Sequence, residues 1–222
     1  MEIKQGKLRG YDSYGMLCSG VELGLNEDLY PGAGYNGLLV LPEDAKAGDD
    51  VKPILGLDDW IFDIAITANR PDCQCIYGMA REVAAVLGKE LKEPALDYTA
   101  DDVKKENFKV SVLAQDICPR YTAHYVHDVK ISESPAWMRK RLALVGIGSI
   151  SNVVDITNFV LKELGQPMHA FDYSYLEGDE IAVRRANDGE KIVTLDEKEF
   201  ELNSNNLVCL LYTSPSPRDV EE

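Results

Sequence analysis

Three polar side chains in residues 149–172, SISNVVDITNFVLKELGQPMHAFD, have types and spacing suited to binding an anion or an oxyanion. Thr157 and Asn158 follow Asp155, an expected helix cap, and are therefore predicted to lie in the first turn of the helix. Unpaired N–H groups and the positive end of the helix dipole favour a negatively charged ligand at that place. His169 is expected on a tight return after the helix. The stretch predicts a small polar pocket.

One helix must position two of these residues, and its bounds follow from its neighbours. Val153 and Val154 are expected to end a short extended run, so that the helix begins at Asp155. Gly165 is expected to end it, because glycine readily adopts the left-handed conformation, and Pro167 cannot continue it. The residues of its predicted apolar face are Ile156, Phe159, Val160 and Leu164.

These polar residues also have a simpler interpretation, in which His169 is a hydrogen-bonded loop residue and Asn158 belongs to the helix entry. The residues alone do not decide between that interpretation and a pocket.

Other potential metal ligands in the chain favour no metal site. Cys73 and Cys75 have no second Cys or His pair nearby, whereas structural zinc needs four ligands, so ordinary thiols are the better interpretation. His124 and His127 lie three residues apart and would point to opposite faces of a strand. No metal ligand is therefore assigned.

The composition restricts the classes of function. The formal net charge of −15 argues against a general polyanion binder, because neutralising a nucleic-acid backbone needs clustered Lys and Arg. No apolar run reaches membrane-spanning length, and the first residues have no secretory pattern, so a cytoplasmic location is expected. The five scattered cysteines suit a reducing compartment.

The chain is predicted to be an α+β protein. Residues 1–50 show turns and short strands, 51–95 a strand, a turn and a helix, and 96–109 the polar composition of a linker. Residues 110–210 mix strands with two helices, and 211–222 are expected to be a non-native or disordered tail.

Several elements are predicted within these regions. Alternation predicts a strand with one buried face at 60–66, and residues 76–87 show the pattern of an amphipathic helix that Gly88 ends. Ser134 and Pro135 are expected to open another helix, as its cap and first residue. Further strands are predicted at 110–112, 121–131, 181–185, 191–195 and 200–202, with a Gly-containing hairpin turn at 187–189.

Four motifs in order resemble the beta subunit of bacterial phenylalanyl-tRNA synthetase. They are LRGYDSYGMLCSGVELGL near residue 8, ITANRPDC near 66, CPRYTAHYV near 118 and GQPMHAFD near 165, and together they extend from Lys7 to Leu210. The resemblance implies an internal piece of the N-terminal part of that subunit. It implies part of an oligonucleotide-binding-type β module at 1–50, a small α/β accessory domain at 51–95 and the first part of a mixed α/β editing domain of the B3/B4 type at 110–210.

The resemblance also implies a function. The parent enzyme attaches phenylalanine to tRNA with ATP and magnesium, and its editing domain hydrolyses tyrosine wrongly attached to that tRNA. Thr157, Asn158 and His169 match the editing pocket, with His169 orienting the terminal ribose or the attacking water. Arg139, Lys140 and Arg141 form a basic triplet that is usually a solvated helix face but could contact the tRNA acceptor end. The implied partners are the tRNA and the alpha subunit, in a heterotetramer of two alpha and two beta subunits.

The sequence departs from the family pattern in two places. Gly148 stands where many members have an arginine, and the acidic residue that recognises the tyrosine hydroxyl lies beyond residue 222 in the family. Two alternatives therefore stay open, a stand-alone hydrolase that edits in trans and a non-catalytic tRNA-docking module.

Overall fold

The computed structural model describes residues 4–30, 37–95, 98–99, 108–176, 179–194 and 197–210, with the side chains of Tyr175 and Leu210 left out. The chain divides into two compact units, Met1–Leu91 with Ile131–Met168 and Lys92–Lys130 with His169–Glu222. Both helices and strands are present, which confirms the mixed α and β class. The predicted domain bounds stay a prediction; they differ from the two units in that residues 131–168 group with the N-terminal part.

In its described residues, the first unit contains a two-stranded antiparallel hairpin and four α-helices. Its described elements are β1 (Gly6–Leu8), β2 (Tyr11–Ser13), α1 (Val51–Leu55), α2 (Ile76–Leu87), α3 (Ala136–Leu144) and α4 (Asn152–Leu164). Helix α4 packs against both α2 and α3. The buried apolar side chains at this packing include Met138, Leu142 and Val154, which lie on facing helices and exclude water from the centre of the unit.

The part of the second unit that the structure describes contains five strands. They are β3 (Lys109–Val112), β4 (Glu180–Arg185), β5 (Lys191–Val193), β6 (Glu199–Glu201) and β7 (Leu207–Leu210). Strand β4 is central, parallel to β3 and antiparallel to β7, whereas β5 and β6 form a separate antiparallel pair. Ile181 and Val183 on β4 and Val208 on β7 are buried.

Charged side chains support this second unit. Both terminal nitrogens of Arg184 lie 2.9 Å from the oxygens of Glu190, and the N–H of Asn187 donates to Glu190 Oε2 over 2.8 Å. Arg184 therefore lowers the pKa of Glu190 to about 2, with the Asn187 hydrogen bond as the next cause.

An aromatic cluster also belongs to the second unit. Tyr173 packs edge-on against Phe108 and Tyr125.

The helix ends were predicted more accurately than the strands. Helix α2 ends before Gly88 and α4 before Gly165, both in the left-handed conformation, as predicted. Helix α3 begins at Ala136 with Pro135 in the cap position, so the prediction of Ser134 as its cap is wrong; the Ser134 hydroxyl is used elsewhere, as described below.

The predicted strands at 60–66 and 121–131 are wrong. Neither segment is part of a sheet in the described residues, although both have apolar alternation. Alternation fits a side chain to a pleated surface but cannot supply the neighbouring strand that completes the ladder.

The predicted hairpin turn at 187–189 is also wrong in its pairing. Gly189 has the left-handed conformation, with φ of 80°. However, β4 pairs with β3 and β7, and β5 pairs with β6, so the two strands that flank the turn are not partners. The predictions at 110–112, 181–185 and 200–202 correspond to β3, β4 and β6, whereas the strand β7 was missed. The described part of the prediction at 191–195 corresponds to β5.

Two of the predicted segments lie wholly or partly outside the described residues. The linker at 96–109 is described only in part, and the tail at 211–222 lies entirely outside the described residues. Within the described ranges, none of the helices combines the length and apolarity needed to cross a bilayer.

Candidate functional site

The start of α4 differs from the prediction. The helix begins at Asn152 and its cap is Ser151, which has an extended backbone and accepts the Val154 N–H. Asp155 donates its own N–H to the Ser151 carbonyl over 2.8 Å and is therefore already helical. Serine is as good a helix cap as aspartate. The Ser151 hydroxyl lies three residues before Val154 and can therefore accept its N–H. The prediction that Asp155 caps the helix is wrong.

Asp155 instead organises the entry of the helix from inside. Its side chain is fully buried, with 0% of its surface exposed. One carboxylate oxygen accepts hydrogen bonds from Ser134 Oγ and Ser149 Oγ, each over 2.5 Å, and the other accepts the Ile150 N–H over 2.9 Å. A buried carboxylate is costly unless donors surround it, and these three supply them. The carboxylate thus joins the segment before α3 and the loop before α4 to α4 itself.

Thr157 and Asn158 therefore lie deeper in the helix than predicted. They are its sixth and seventh residues, past the four N–H groups that a helix start leaves unpaired. The prediction that first-turn amides at these two positions favour an anion is wrong for that reason. Thr157 is buried and its hydroxyl donates to the Val154 carbonyl over 2.7 Å, which leaves the oxygen as an acceptor. Asn158 is half-buried on the same helix.

His169 lies in the second unit, whereas Thr157 and Asn158 lie in the first. Its ring is exposed and stacks on the Phe171 ring, with centroids 6.0 Å apart and planes 24° from parallel. Within the described part of the chain, neither ring nitrogen of His169 has a hydrogen-bond partner. Each nitrogen is thus available to a ligand or a water molecule, and the ring orientation is supported by Phe171.

Each side chain of the basic triplet has a polar partner. Arg139 lies 3.3 Å from a Glu133 oxygen and Arg141 lies 3.6 Å from an Asp59 oxygen. Lys140 Nζ donates to the Pro53 carbonyl over 3.3 Å.

A cavity of about 330 Å³ opens beside the triplet, lined by Gly56, Asp58, Asp59, Trp137, Lys140, Arg141 and Leu144. Acidic residues in this lining offset the positive charge, which weakens the attraction of the cavity for phosphate.

The turn before α2 is held by one arginine. The Arg70 guanidinium binds Asp72 through two hydrogen bonds, of 3.1 and 2.9 Å, and reaches Glu82 on α2 at 2.5 Å. Arg70 lowers the pKa of Asp72 to about 2 and also lowers the pKa of Glu82. The expectation that Arg70 and Asp72 orient this turn agrees with the contacts, but the cap of α2 is Cys75, whose sulfur accepts the Gly78 N–H.

One group of potential metal ligands occurs among the described residues. Single ligand atoms of Asp72, Cys73 and Glu82 lie within 4.8 Å of one another. Both carboxylates are already bound to the Arg70 guanidinium, and burial raises the pKa of the Cys73 thiol. A cation would have to displace this guanidinium, so the donor set suits an ion pair better than a metal.

Gly148 has a packing requirement of its own. A Cβ atom at this position would lie 2.0 Å from the carbonyl oxygen of Asp28. Real Cβ atoms do not approach backbone so closely, and a side chain here would force the backbone to move. Gly148, which departs from the family pattern, therefore allows two backbone segments of this chain to lie close together.

Asp155 and Arg70 are the two organising side chains whose roles were not fully predicted. Asp155 was assigned to the wrong role because its donors, Ser134 and Ser149, are recognisable as donors only once the chain is folded. The pairing of Arg70 with Glu82 spans twelve positions and has no local signal.

Comparisons with known proteins agree with the four motifs. The family model of the B3/4 domain matches residues 117–214. The chain is 51% identical over 208 residues to the phenylalanine–tRNA ligase beta subunit of Syntrophus aciditrophicus, which covers 93% of this chain and 25% of that subunit. It is 44% identical to the Clostridium acetobutylicum beta subunit, over 94% of this chain and 26% of that subunit. The chain thus spans about a quarter of the length of these relatives. These matches confirm the resemblance.

Proposed function

We propose that this chain, as a relative of phenylalanine–tRNA ligase beta subunits, supplies part of such a subunit and contributes to an editing site that hydrolyses tyrosine from mischarged phenylalanine tRNA. The observation that carries this proposal is the 44–51% identity to beta subunits over more than nine-tenths of the chain. In this proposal the N-terminal residues belong to a tRNA-binding module and an accessory domain, and the residues from 110 onward begin the editing domain.

The chemistry of editing explains why such a site is needed. A pocket built for phenylalanine rejects an added hydroxyl poorly by binding alone, whereas a second site that hydrogen-bonds that hydroxyl selects tyrosine. Ester hydrolysis then needs a positioned water molecule and donors for the oxyanion that develops on the carbonyl.

In the proposed site, the His169 ring orients the terminal ribose or the attacking water. This role is supported by its exposed nitrogens, which have no partner among the described residues, and by the stacking on Phe171. On α4 of the first unit, the resemblance assigns Asn158 and Thr157 to binding water or substrate, and the Thr157 oxygen can accept a hydrogen bond while its hydroxyl donates to the Val154 carbonyl. The buried Asp155 fixes the helix that presents these two residues.

The synthetic reaction is assigned to other parts of the parent enzyme. ATP and magnesium would serve the attachment of phenylalanine, on an alpha subunit that joins the beta subunit in a heterotetramer of two alpha and two beta subunits. We therefore predict that the isolated chain does not charge tRNA.

The test uses a chimeric beta subunit, in which residues 7–210 of this chain replace the matching quarter of the Syntrophus aciditrophicus beta subunit. Purified with its alpha subunit, the chimeric beta subunit should charge tRNA with phenylalanine and hydrolyse tyrosyl-tRNA. His169→Ala should lower the rate of tyrosyl-tRNA hydrolysis about 10- to 100-fold, as expected when a group that positions water is lost, and leave the charging rate within about twofold.

His124→Ala is the matched control. His124 is also an exposed histidine of the second unit, and neither rate should change when it is replaced. Equal losses of charging and hydrolysis in His169→Ala would show a folding role and contradict the proposed editing role. Turnover of tyrosyl-tRNA by the isolated chain would instead support a stand-alone hydrolase, and tRNA binding without hydrolysis in the chimeric beta subunit would support a docking module.

A further inference from the structure

Residues 60–66, here called the 60–66 segment, have the side-chain pattern of a strand and belong to no sheet among the described residues. Trp60, Phe62, Ile64 and Ile66 alternate with Ile61, Asp63 and Ala65. Trp60 is 87% exposed and Phe62 is 80% exposed. Two aromatic side chains exposed to this degree on one short segment are unusual for a surface that contacts only water.

The backbone of the segment also lacks partners for its polar groups. In the part of the chain that the structure describes, residues 61–66 make no backbone hydrogen bond. The N–H and C=O groups of an extended chain are strong donors and acceptors, and a row of them is a template for a neighbouring strand.

Both ends of the segment are held in place. Asp59, directly before it, pairs with Arg141 on α3 at 3.6 Å. Arg70, four residues after it, is bound to Asp72 and to Glu82 on α2. The segment thus lies between two positions that are bonded to helices of the first unit, which reduces the conformational entropy that pairing with a strand would cost.

Charge distinguishes among the strands that could pair with the segment. In a strand, Asp63 would lie on the face opposite Trp60 and Phe62, and Asp58 and Asp59 precede the segment. In an antiparallel pair of two copies centred on this segment, Asp63 would lie opposite Asp63, and like charges directly opposite each other destabilise a sheet. Each copy also has a formal net charge of −15, so two copies repel each other. A neighbour with a cationic side chain facing Asp63 avoids both costs.

We propose that the 60–66 segment is a strand of a β-sheet whose neighbouring strand comes from the beta-subunit polypeptide outside the quarter spanned here. That neighbouring strand has β-branched or aromatic residues beside Phe62 and Ile64 and a Lys or Arg facing Asp63. The inference rests on the proposed function, because it takes this chain as part of a longer beta subunit. The relatives supply the required polypeptide, since about three-quarters of their length lies outside the matching region.

The test compares amide hydrogen exchange in the isolated 222-residue chain and in the chimeric beta subunit. The amides of residues 61–66 should exchange without protection in the isolated chain and at least about 100-fold more slowly in the chimeric beta subunit, as strand amides do in a stable sheet. Amides in the middle of α4 serve as the internal control, because they should be protected in both proteins. Asp63→Lys should reduce the protection in the chimeric beta subunit, while Asp44→Lys, at an exposed position without a described partner, should not.

Three outcomes would overturn the proposal. Fast exchange of residues 61–66 in a chimeric beta subunit whose α4 amides are protected would show that the segment is not a strand. Protection in the isolated chain that grows with concentration, together with a dimer in sedimentation, would identify a second copy as the neighbour. Protection that appears only when the alpha subunit is added would assign the neighbour to that subunit. Because charging of tRNA by the chimeric beta subunit is measured separately, any of these results can be distinguished from failure of the proposed function.

Discussion

The entry of α4 and the 60–66 segment both have clear local sequence patterns, yet one is packed and the other is exposed. At the α4 entry, the Asp155 carboxylate accepts hydrogen bonds from Ser134, Ser149 and Ile150 of the same unit. In the 60–66 segment, the Trp60 and Phe62 side chains are exposed, and the backbone of residues 61–66 makes no hydrogen bond among the described residues. The difference shows that a helix can satisfy its backbone from its own residues, whereas a strand depends on a neighbour.

The largest effect is expected at the packed region. In the isolated chain, Asp155→Ala should lower the free energy of unfolding by about 3 kcal/mol, because it leaves the buried Ser134 hydroxyl, the half-buried Ser149 hydroxyl and the Ile150 N–H without their acceptor. Denaturant unfolding measures this change. Asp44→Ala, which removes an exposed carboxylate without a described partner, should change the free energy by less than about 0.5 kcal/mol.

Asp155→Asn refines the same comparison. The amide keeps one oxygen that can accept, and its size is unchanged, so its effect should be smaller than that of Asp155→Ala. If both variants were as stable as the unmodified chain, the carboxylate would not be organising the α4 entry, and the contrast between the two regions would lose its basis.

These two regions also show what the sequence can predict. The ends of α2 and α4 were correctly predicted, because Gly88 and Gly165 act through the conformation of single residues. The start of α4 was not, because Ser151 and Asp155 are both suitable caps and the choice depends on serines at 134 and 149.

Whether a predicted strand forms depends still more on distant residues than the start of a helix does. Strand β4 was predicted from its β-branched residues, but its parallel pairing with β3 joins positions about seventy residues apart, and no local pattern encodes it. The 60–66 segment had an equally good pattern but has no partner among the described residues. Of the candidate site residues, the positions of Thr157 and Asn158 on one helix were predictable, whereas the exposure of His169 and the contacts of the basic triplet were not.

A smaller effect is expected at the arginine that holds the turn between the two regions. Arg70 lowers the pKa of Asp72 from 3.8 to about 2. A carboxyl whose folded pKa is lowered adds stability that is fully present above its unfolded pKa and is lost as the pH falls through the folded pKa. The contribution of Asp72 should therefore fade between about pH 4 and about pH 2.

The measurement is the free energy of unfolding of the isolated chain at several pH values in that window. Arg70→Leu should destabilise the chain at pH 6 and flatten the acid side of the profile, because Asp72 then titrates near its ordinary pKa. The effect should be modest, since both side chains are more than a third exposed and water screens the pair. An unchanged slope in Arg70→Leu would show that other carboxyls control the acid response.

The smallest effect is expected from Phe62→Ser in the isolated chain. Since the Phe62 side chain is exposed and touches no sheet, removing it should change the free energy of unfolding by less than about 0.5 kcal/mol. In the chimeric beta subunit the same change should cost about 3 kcal/mol, as the loss of a large side chain buried between strands does. A loss of that size already in the isolated chain would mean that the segment is packed there, and the contrast with the α4 entry would be wrong. A negligible loss in both proteins would mean that Phe62 never becomes buried. The position thus reports on whether the difference between the two regions comes from their own sequences or from a missing neighbour.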